Sequence, residues 1–135
     1  MESSAFRTIV LEFVKKINAH DIDGLCEMMT QHHLFIDSVN TKVRGRDAMR
    51  KAWGVYFHMV PDFTIEISEV MVSGSTVGLF GRATGTFSPD GTLEERNRWQ
   101  MPSAWRAVVH DNLVAEWQVY ADNEPVRALL SRQPR

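Results

Sequence analysis

From Phe63 to Asp122 the apolar residues recur at every second position, through "FTIEISEV", "STVGLFGRATGTF", "RNRWQMPSAWRAVVH" and "NLVAEWQVYAD". Alternation of this kind suits an extended chain that lays one face on a core, and it does not suit a helix, whose period is about 3.6 residues. The breaks between the four segments, "SGS", "SPDGT" and "HDN", are made of turn formers. Four long strands following one another in this way predict a meander, so nearly half of the chain is committed to one sheet.

The first sixty residues follow a different period. Phe6, Ile9, Val10, Phe13, Val14 and Ile17 are spaced by three and four behind Ser3 and Ser4, which predicts an amphipathic helix with a serine cap. Asp21 is placed to cap a short second helix carrying Leu25, Met28 and Met29. "LFIDSVN" reads as a strand that stops on Asp37, and "NTKVRGR" as a loop. Met49, Trp53, Tyr56, Phe57 and Val60 then mark a third helix that Pro61 ends. "EPVRALL" closes the chain with a short helix whose Pro125 suits the first turn, and the polar "SRQPR" after it is expected to fray. The order α-α-β-α-β-β-β-β-α predicts an α+β architecture, a single domain over residues 1–135. Its strongly curved mixed sheet would carry helices on the concave side and enclose a pocket.

At 135 residues the chain can bury roughly two-thirds of its unfolded surface, enough for a core and a pocket together. Fifteen Lys and Arg against 17 Asp and Glu give a net charge of −2, which supplies no cationic field for nucleic acid. The single cysteine, Cys26, forms no internal disulfide and fits a reducing compartment. "MESSAFRTIVLEFVKK" lacks the basic-then-apolar order of a signal peptide, and no run of about 18 apolar residues occurs. A soluble, cytoplasmic protein without a membrane partner is expected.

No metal motif is present. His32 and His33 are neighbours in a strand and point to opposite faces, and His20, His58 and His110 have no partner at ligand spacing. Neither G-x-S-x-G nor G-x-G-x-x-G occurs. What remains is carboxylates among aromatics. Asp37 either closes its strand as a turn former or is held at the end of an apolar strand to move a proton. By strand parity His33, Phe35 and Asp37 share one face, and Gln118, Tyr120 and Asp122 share a face of the last strand. If both faces are concave, the two aspartates meet. Asp122 also precedes the last helix and can simply cap it. Arg98 and Arg106 alternate on one strand, where each needs a ligand anion or a structural carboxylate. Trp53, Tyr56, Trp99, Trp105 and Trp117 belong to the core or to the wall of a cavity.

The stretch "FVKKINAHDIDGLCEMMTQHHLFIDSV", with the later "VRGRDAMRKAW" and the closing "AWRAVVHDNLVAEWQVYAD", resembles the nuclear-transport-factor-2-like (NTF2-like) superfamily, in particular its SnoaL-like and ketosteroid-isomerase-like branches. The resemblance implies a cone-shaped fold and, at Asp37, the position of the isomerases' proton-shuttling aspartate. The isomerases' two oxyanion donors fall at Phe13 and Ala104, which cannot donate, so the usual steroid isomerisation is not expected. SnoaL-like cyclases place their acid/base aspartate at the end of the last strand, where this chain has "VYAD" and Asp122. Arg98 lies near the arginine of limonene-epoxide-hydrolase-like members, but "RNRWQMP" lacks their neighbouring aspartate. The function so implied is a cofactor-free acid/base enzyme of isomerase, cyclase or lyase type acting on a small apolar molecule. Asp37, Asp122, Arg98 and Tyr120 are the expected catalytic residues, and Phe13, Phe35, Trp53, Tyr56, His58 and Trp117 the expected substrate contacts. A non-catalytic ligand-binding or dimerisation module is the alternative. A homodimer is expected, because helices on one side of a sheet leave its other face to be covered.

Overall fold

The structure, a computed structural model, describes residues 2–133; Pro134 and Arg135, the end of the tail expected to fray, lie outside them. Helix α1 (Glu2–Asn18) buries Val10, Phe13, Val14 and Ile17 along one side, as its three- and four-residue spacing requires. Ser3 and Ser4 are not its cap. The helix already runs from Glu2, and the Ser4 carbonyl accepts the Thr8 hydroxyl within it at 2.9 Å. Asp21 does cap α2 (Ile22–Glu27), its carboxylate accepting the Gly24 N–H at 2.9 Å.

Strand β1 (Met29–Ile36) leads through the Asp37 turn into β2 (Lys42–Arg44), a short antiparallel edge strand in the segment read from sequence as a loop. Helix α3 (Arg46–Met59) ends ahead of Pro61, and its buried side carries Met49, Trp53 and Phe57. The meander follows as β3 (Thr64–Ser73), β4 (Thr76–Thr86), β5 (Arg98–His110) and β6 (Leu113–Ala121). A 3-10 turn at Glu95–Asn97 leads into β5, and α4 (Glu124–Ser131) has Pro125 in its first turn. The six strands form one sheet in the order β2-β1-β6-β5-β4-β3, antiparallel except where β1 runs parallel to β6.

The sheet is curved because its register slips at defined places. Bulges lie at Ser68 of β3, between Ile67 and Glu69, and at Ala115 of β6, opposite Val108 and Val109 of β5, and each adds twist and a bend. Gly81 makes the first of these possible. A Cβ there would stand 1.8 Å from the Glu66 carbonyl oxygen, so only glycine lets the two strands approach so closely.

Helices α1 to α3 pack on the concave side. Asn18, the last residue of α1, pairs with the backbone of Ile65 in β3, donating to its carbonyl at 2.9 Å and accepting its N–H at 2.8 Å. Below this clamp His20 stacks on Phe57 at 4.1 Å and donates from Nε2 to the Phe63 carbonyl at 2.9 Å. The core gathers Phe13, Ile17, Leu25, Met29, Val114 and Trp117 between α1, α2 and the sheet. Among the described residues no helix is long and apolar enough to cross a membrane.

Candidate functional site

The concave face is not filled to its end. A cavity of about 350 Å³ remains between the sheet, α3 and the start of α4. Strand parity sets its lining: β5 sends in Trp99, Met101, Ser103 and Trp105, and β6 sends in Trp117, Val119 and Ala121. Helix α3 supplies Met49, Ala52, Trp53 and Tyr56, while Phe35 of β1 and Val126 of α4 stand at the end where Asp37, Ser38 and Asn123 lie. The Ser38 hydroxyl donates to Asn123 Oδ1 at 2.8 Å and so ties the β1 turn to the start of α4.

Asp37 is the turn former that its sequence position allowed, and it also reaches the cavity. Its Oδ1 accepts the amides of Val39 at 3.0 Å and Thr41 at 2.8 Å, which fixes the turn. The residue is half-buried and lines the cavity, and its second oxygen has no hydrogen-bond partner among the described residues. No lysine, arginine or histidine shares the lining, so no cationic side chain there pairs with the carboxylate. Tyr56 is largely buried, and burial alone pushes its phenol well above the ordinary tyrosine range. It therefore stays a neutral O–H donor at every ordinary pH.

Five of the residues expected at the site are brought together here: Phe35, Asp37, Trp53, Tyr56 and Trp117. Five are not. Because Trp117, Val119 and Ala121 point inward, Gln118, Tyr120 and Asp122 belong to the opposite parity, and Tyr120 is 50% exposed on the outer side. Asp122 is exposed and accepts the Glu124 amide at 3.0 Å, the capping role also open to it. Arg98 precedes the inward Trp99 by one residue and is exposed for the same reason, as is His58 on the solvent side of α3. Arg106, also on the outer side, pairs with Glu116 at 2.8 Å, which is the structural ion pair weighed against an anion site. Phe13 is fully buried in the core behind Trp117, their rings 5.1 Å apart, and does not reach the cavity.

Ser38, Ser103 and Asn123 line the cavity without having been singled out from sequence. Their signal lay in parity: Ser103 alternates with Trp99, Met101 and Trp105, the large apolar set of β5. His33, which shares the face of Phe35, lies deeper and is completely buried. Its Nδ1 donates to the Val114 carbonyl at 2.7 Å, leaving Nε2 as an unprotonated nitrogen with no partner among the described residues. Desolvation lowers its pKa, outweighing the Val114 hydrogen bond and the attraction of Glu116.

A family model described as a SnoaL-like domain matches residues 10–117 of the chain. Among solved structures, a candidate SnoaL-like polyketide cyclase from Jannaschia sp. CCS1 is similar at 22% identity and a TM-score of 0.81, covering 98% of this chain and 95% of that one. An LEH-like epoxide hydrolase from M. tuberculosis is similar at 17% identity and a TM-score of 0.80, covering 98% of this chain and 93% of that one. A protein with a ketosteroid isomerase-like fold from Catenulispora acidiphila DSM 44928, solved in complex with trimethylamine, is similar at 14% identity and a TM-score of 0.78, covering 93% and 97%. At these identities the likeness is one of fold. No curated protein sequence matches the chain.

Proposed function

Because the chain belongs to the SnoaL-like domain family and has the NTF2-like fold, we propose that it is a cofactor-free enzyme that moves a proton with an aspartate, working in the cytoplasm on an apolar cyclic molecule with a carbonyl handle. One observation carries this reading: Asp37 is the single carboxylate lining a cavity that is otherwise mostly aromatic and aliphatic. Its turn amides hold Oδ1 in place, and the other oxygen is free to take a proton from a carbon next to the substrate carbonyl. The C–H electron pair becomes the enolate, the charge collects on the carbonyl oxygen, and protonated Asp37 returns the proton to carbon. Tyr56 faces the same space as a neutral donor. That a relative of this fold holds trimethylamine supports reading the cavity as a seat for a small organic ligand.

The experiment is proton exchange in D₂O. A panel of one- to three-ring ketones is incubated with the protein and deuterium at the α-carbons is followed by NMR. Wild type is expected to exceed the buffer rate on at least one ketone, and Asp37→Asn to lose roughly 10²-fold or more of that rate. A wild type that binds ketones yet never exceeds buffer would leave a ligand-binding module in place of the enzyme.

The same reading includes a homodimer through the outer side of the sheet, where Met71, Phe80 and Tyr120 are exposed. Phe80 and Tyr120 both pair with Ala104 of β5, so they sit in one row across three strands. A monomer in light scattering at micromolar concentration would remove the dimer.

A further inference from the structure

To a ligand the cavity offers a corner of aromatic rings with one negative charge beside it. Phe35 and Trp53 both line it, their ring centroids 6.4 Å apart and their planes at 63°, and Tyr56 meets Trp53 at 6.3 Å and 80°. Phe57, outside the lining, stacks on the indole at 5.1 Å and backs it. Further in, Phe63 stands 4.9 Å from Tyr56 and 6.1 Å from Trp99, so the rings form one continuous wall. Asp37 follows Phe35 by two residues and lines the same space, which puts its Cα at most about 7 Å from that of the first ring.

Both features select the sign of a ligand's charge. The faces of aromatic rings attract a cation within about 6 Å of the ring centre, and Asp37 adds a full negative charge that no cationic side chain of the lining answers. An anion meets repulsion from both. We infer that the cavity binds an organic monocation, a tertiary or quaternary ammonium whose N-alkyl groups rest against Phe35 and Trp53 and whose charge faces Asp37. The degree of alkylation follows from the acceptors. Oδ1 of Asp37 already accepts two amides, and the Ser38 hydroxyl is committed to Asn123. The one open carboxylate oxygen matches the single N–H of a tertiary ammonium or meets a quaternary one by charge alone. A primary ammonium brings three N–H groups into a wall made mostly of rings and methyls. The inference goes beyond the proton transfer proposed above, since a cation seated on Asp37 occupies the base instead of using it.

The test compares phenyltrimethylammonium with tert-butylbenzene, of the same shape and uncharged, by tryptophan fluorescence and by the ¹H shift of the methyl groups. Wild type is expected to bind the cation the more tightly, with its N-methyl protons moved upfield by the surrounding rings. Among benzylamines, the N,N-dimethyl ion is expected to bind about threefold or more tighter than benzylammonium. Asp37→Asn is expected to cut the preference for cation over isostere by about tenfold, while tert-butylbenzene affinity, the measure of an intact cavity, stays within about twofold. Phe35→Leu and Trp53→Leu remove a ring and keep an apolar side chain, and each is expected to cut the preference about threefold. If Trp53→Leu does not fold, Phe35→Leu carries this arm alone. A wild type that binds the isostere as well as the cation, or binds neither, would overturn the inference. So would a preference unmoved in Asp37→Asn or in Phe35→Leu, a parallel loss of both ligands in those variants, or benzylammonium binding as tightly as its dimethyl form. Cation binding without any α-proton exchange upholds the ammonium site and removes the aspartate chemistry. Exchange that depends on Asp37 yet is never slowed by phenyltrimethylammonium refutes the ammonium site alone.

Discussion

Asp37 and Asp122 occupy equivalent places in two neighbouring parallel strands. Each follows the last residue of its strand, and each accepts the amide two residues on, Val39 and Glu124 respectively, at 3.0 Å. Only Asp37 reaches the cavity. The difference is one of parity. In β1 the inward residue before the turn is Phe35, so Asp37 two residues later continues the inward set; in β6 Ala121 is inward, so Asp122 falls on the other side. A capping hydrogen bond thus says little about function at a strand end. Which way the strand's apolar set points says a good deal.

The largest effect expected from this comparison is on chemistry. Asp37→Asn keeps an acceptor for the Val39 and Thr41 amides and removes the proposed base, so α-proton exchange should fall roughly 10²-fold or more while urea-unfolding stability changes by less than about 0.5 kcal/mol. Unfolding that shifts as strongly as the rate would return Asp37 to a purely structural role.

A second way to break the comparison is to disturb the register on which parity depends. Gly81→Ala would press a methyl group onto the Glu66 carbonyl opposite the β3 bulge. Backbone has to move to admit it, and a loss of about 2–3 kcal/mol is expected in urea unfolding, with the cavity's ligand affinity weakened as well. Unchanged stability would mean that the bulge does not hold the curvature.

His33 sharpens the inward assignment of β1, because it lies on the same side as Phe35 but fully buried. Its pKa is lower in the folded protein than in the unfolded chain. The unfolded state therefore takes up a proton that the folded state refuses once the pH drops below about 6.5. Stability from this residue is fully present above that pH and is lost as pH falls toward the folded value, with a slope of up to about 1.4 kcal/mol per pH unit. Urea midpoints measured from pH 7.5 to 5, beside NMR titration of the His33 ring, check the sign. A His33 midpoint at or above 6.5 would place the ring in solvent and undo the inward face.

Much of the fold was legible because it follows from local periodicity. The alternating segments from Phe63 onward became β3 to β6, and the Asp21 cap is where its side-chain chemistry put it. The edge strand β2 was not legible, since three residues give no alternation and its pairing is defined by β1, Phe35 opposite Val43. Half of the residues expected at the site lie outside the cavity for a different reason. In β6 the polar atoms of Gln118, Tyr120 and Asp122 drew the catalytic reading, and the "VYAD" resemblance strengthened it. Yet Trp117, Val119 and Ala121 are the wholly apolar set, and burial of that set is what fixes direction. Parity read from the apolar side turns Tyr120 and Asp122 outward on the residue pattern alone. The unpartnered Trp53 indole N–H had no such signal, because satisfaction of a side chain depends on neighbours distant in sequence.

The smallest expected effect is also the most discriminating. Asp122→Asn removes a charge from an exposed position and keeps the acceptor for the Glu124 amide, so stability and α-proton exchange should both stay at wild-type level, the latter within about twofold. Asp122→Ala removes the acceptor too and is expected to cost about 0.5–1 kcal/mol, again without changing exchange. The pair separates the two strand ends: at position 37 the Asn variant is expected to lose exchange and stay stable, while at position 122 the Asn variant is expected to be silent and only the Ala variant to register, as stability. A drop in exchange for Asp122→Asn at unchanged stability would show β6 turning Asp122 inward in solution. The parity argument, and with it the assignment of Asp37 as the sole base, would then fail together.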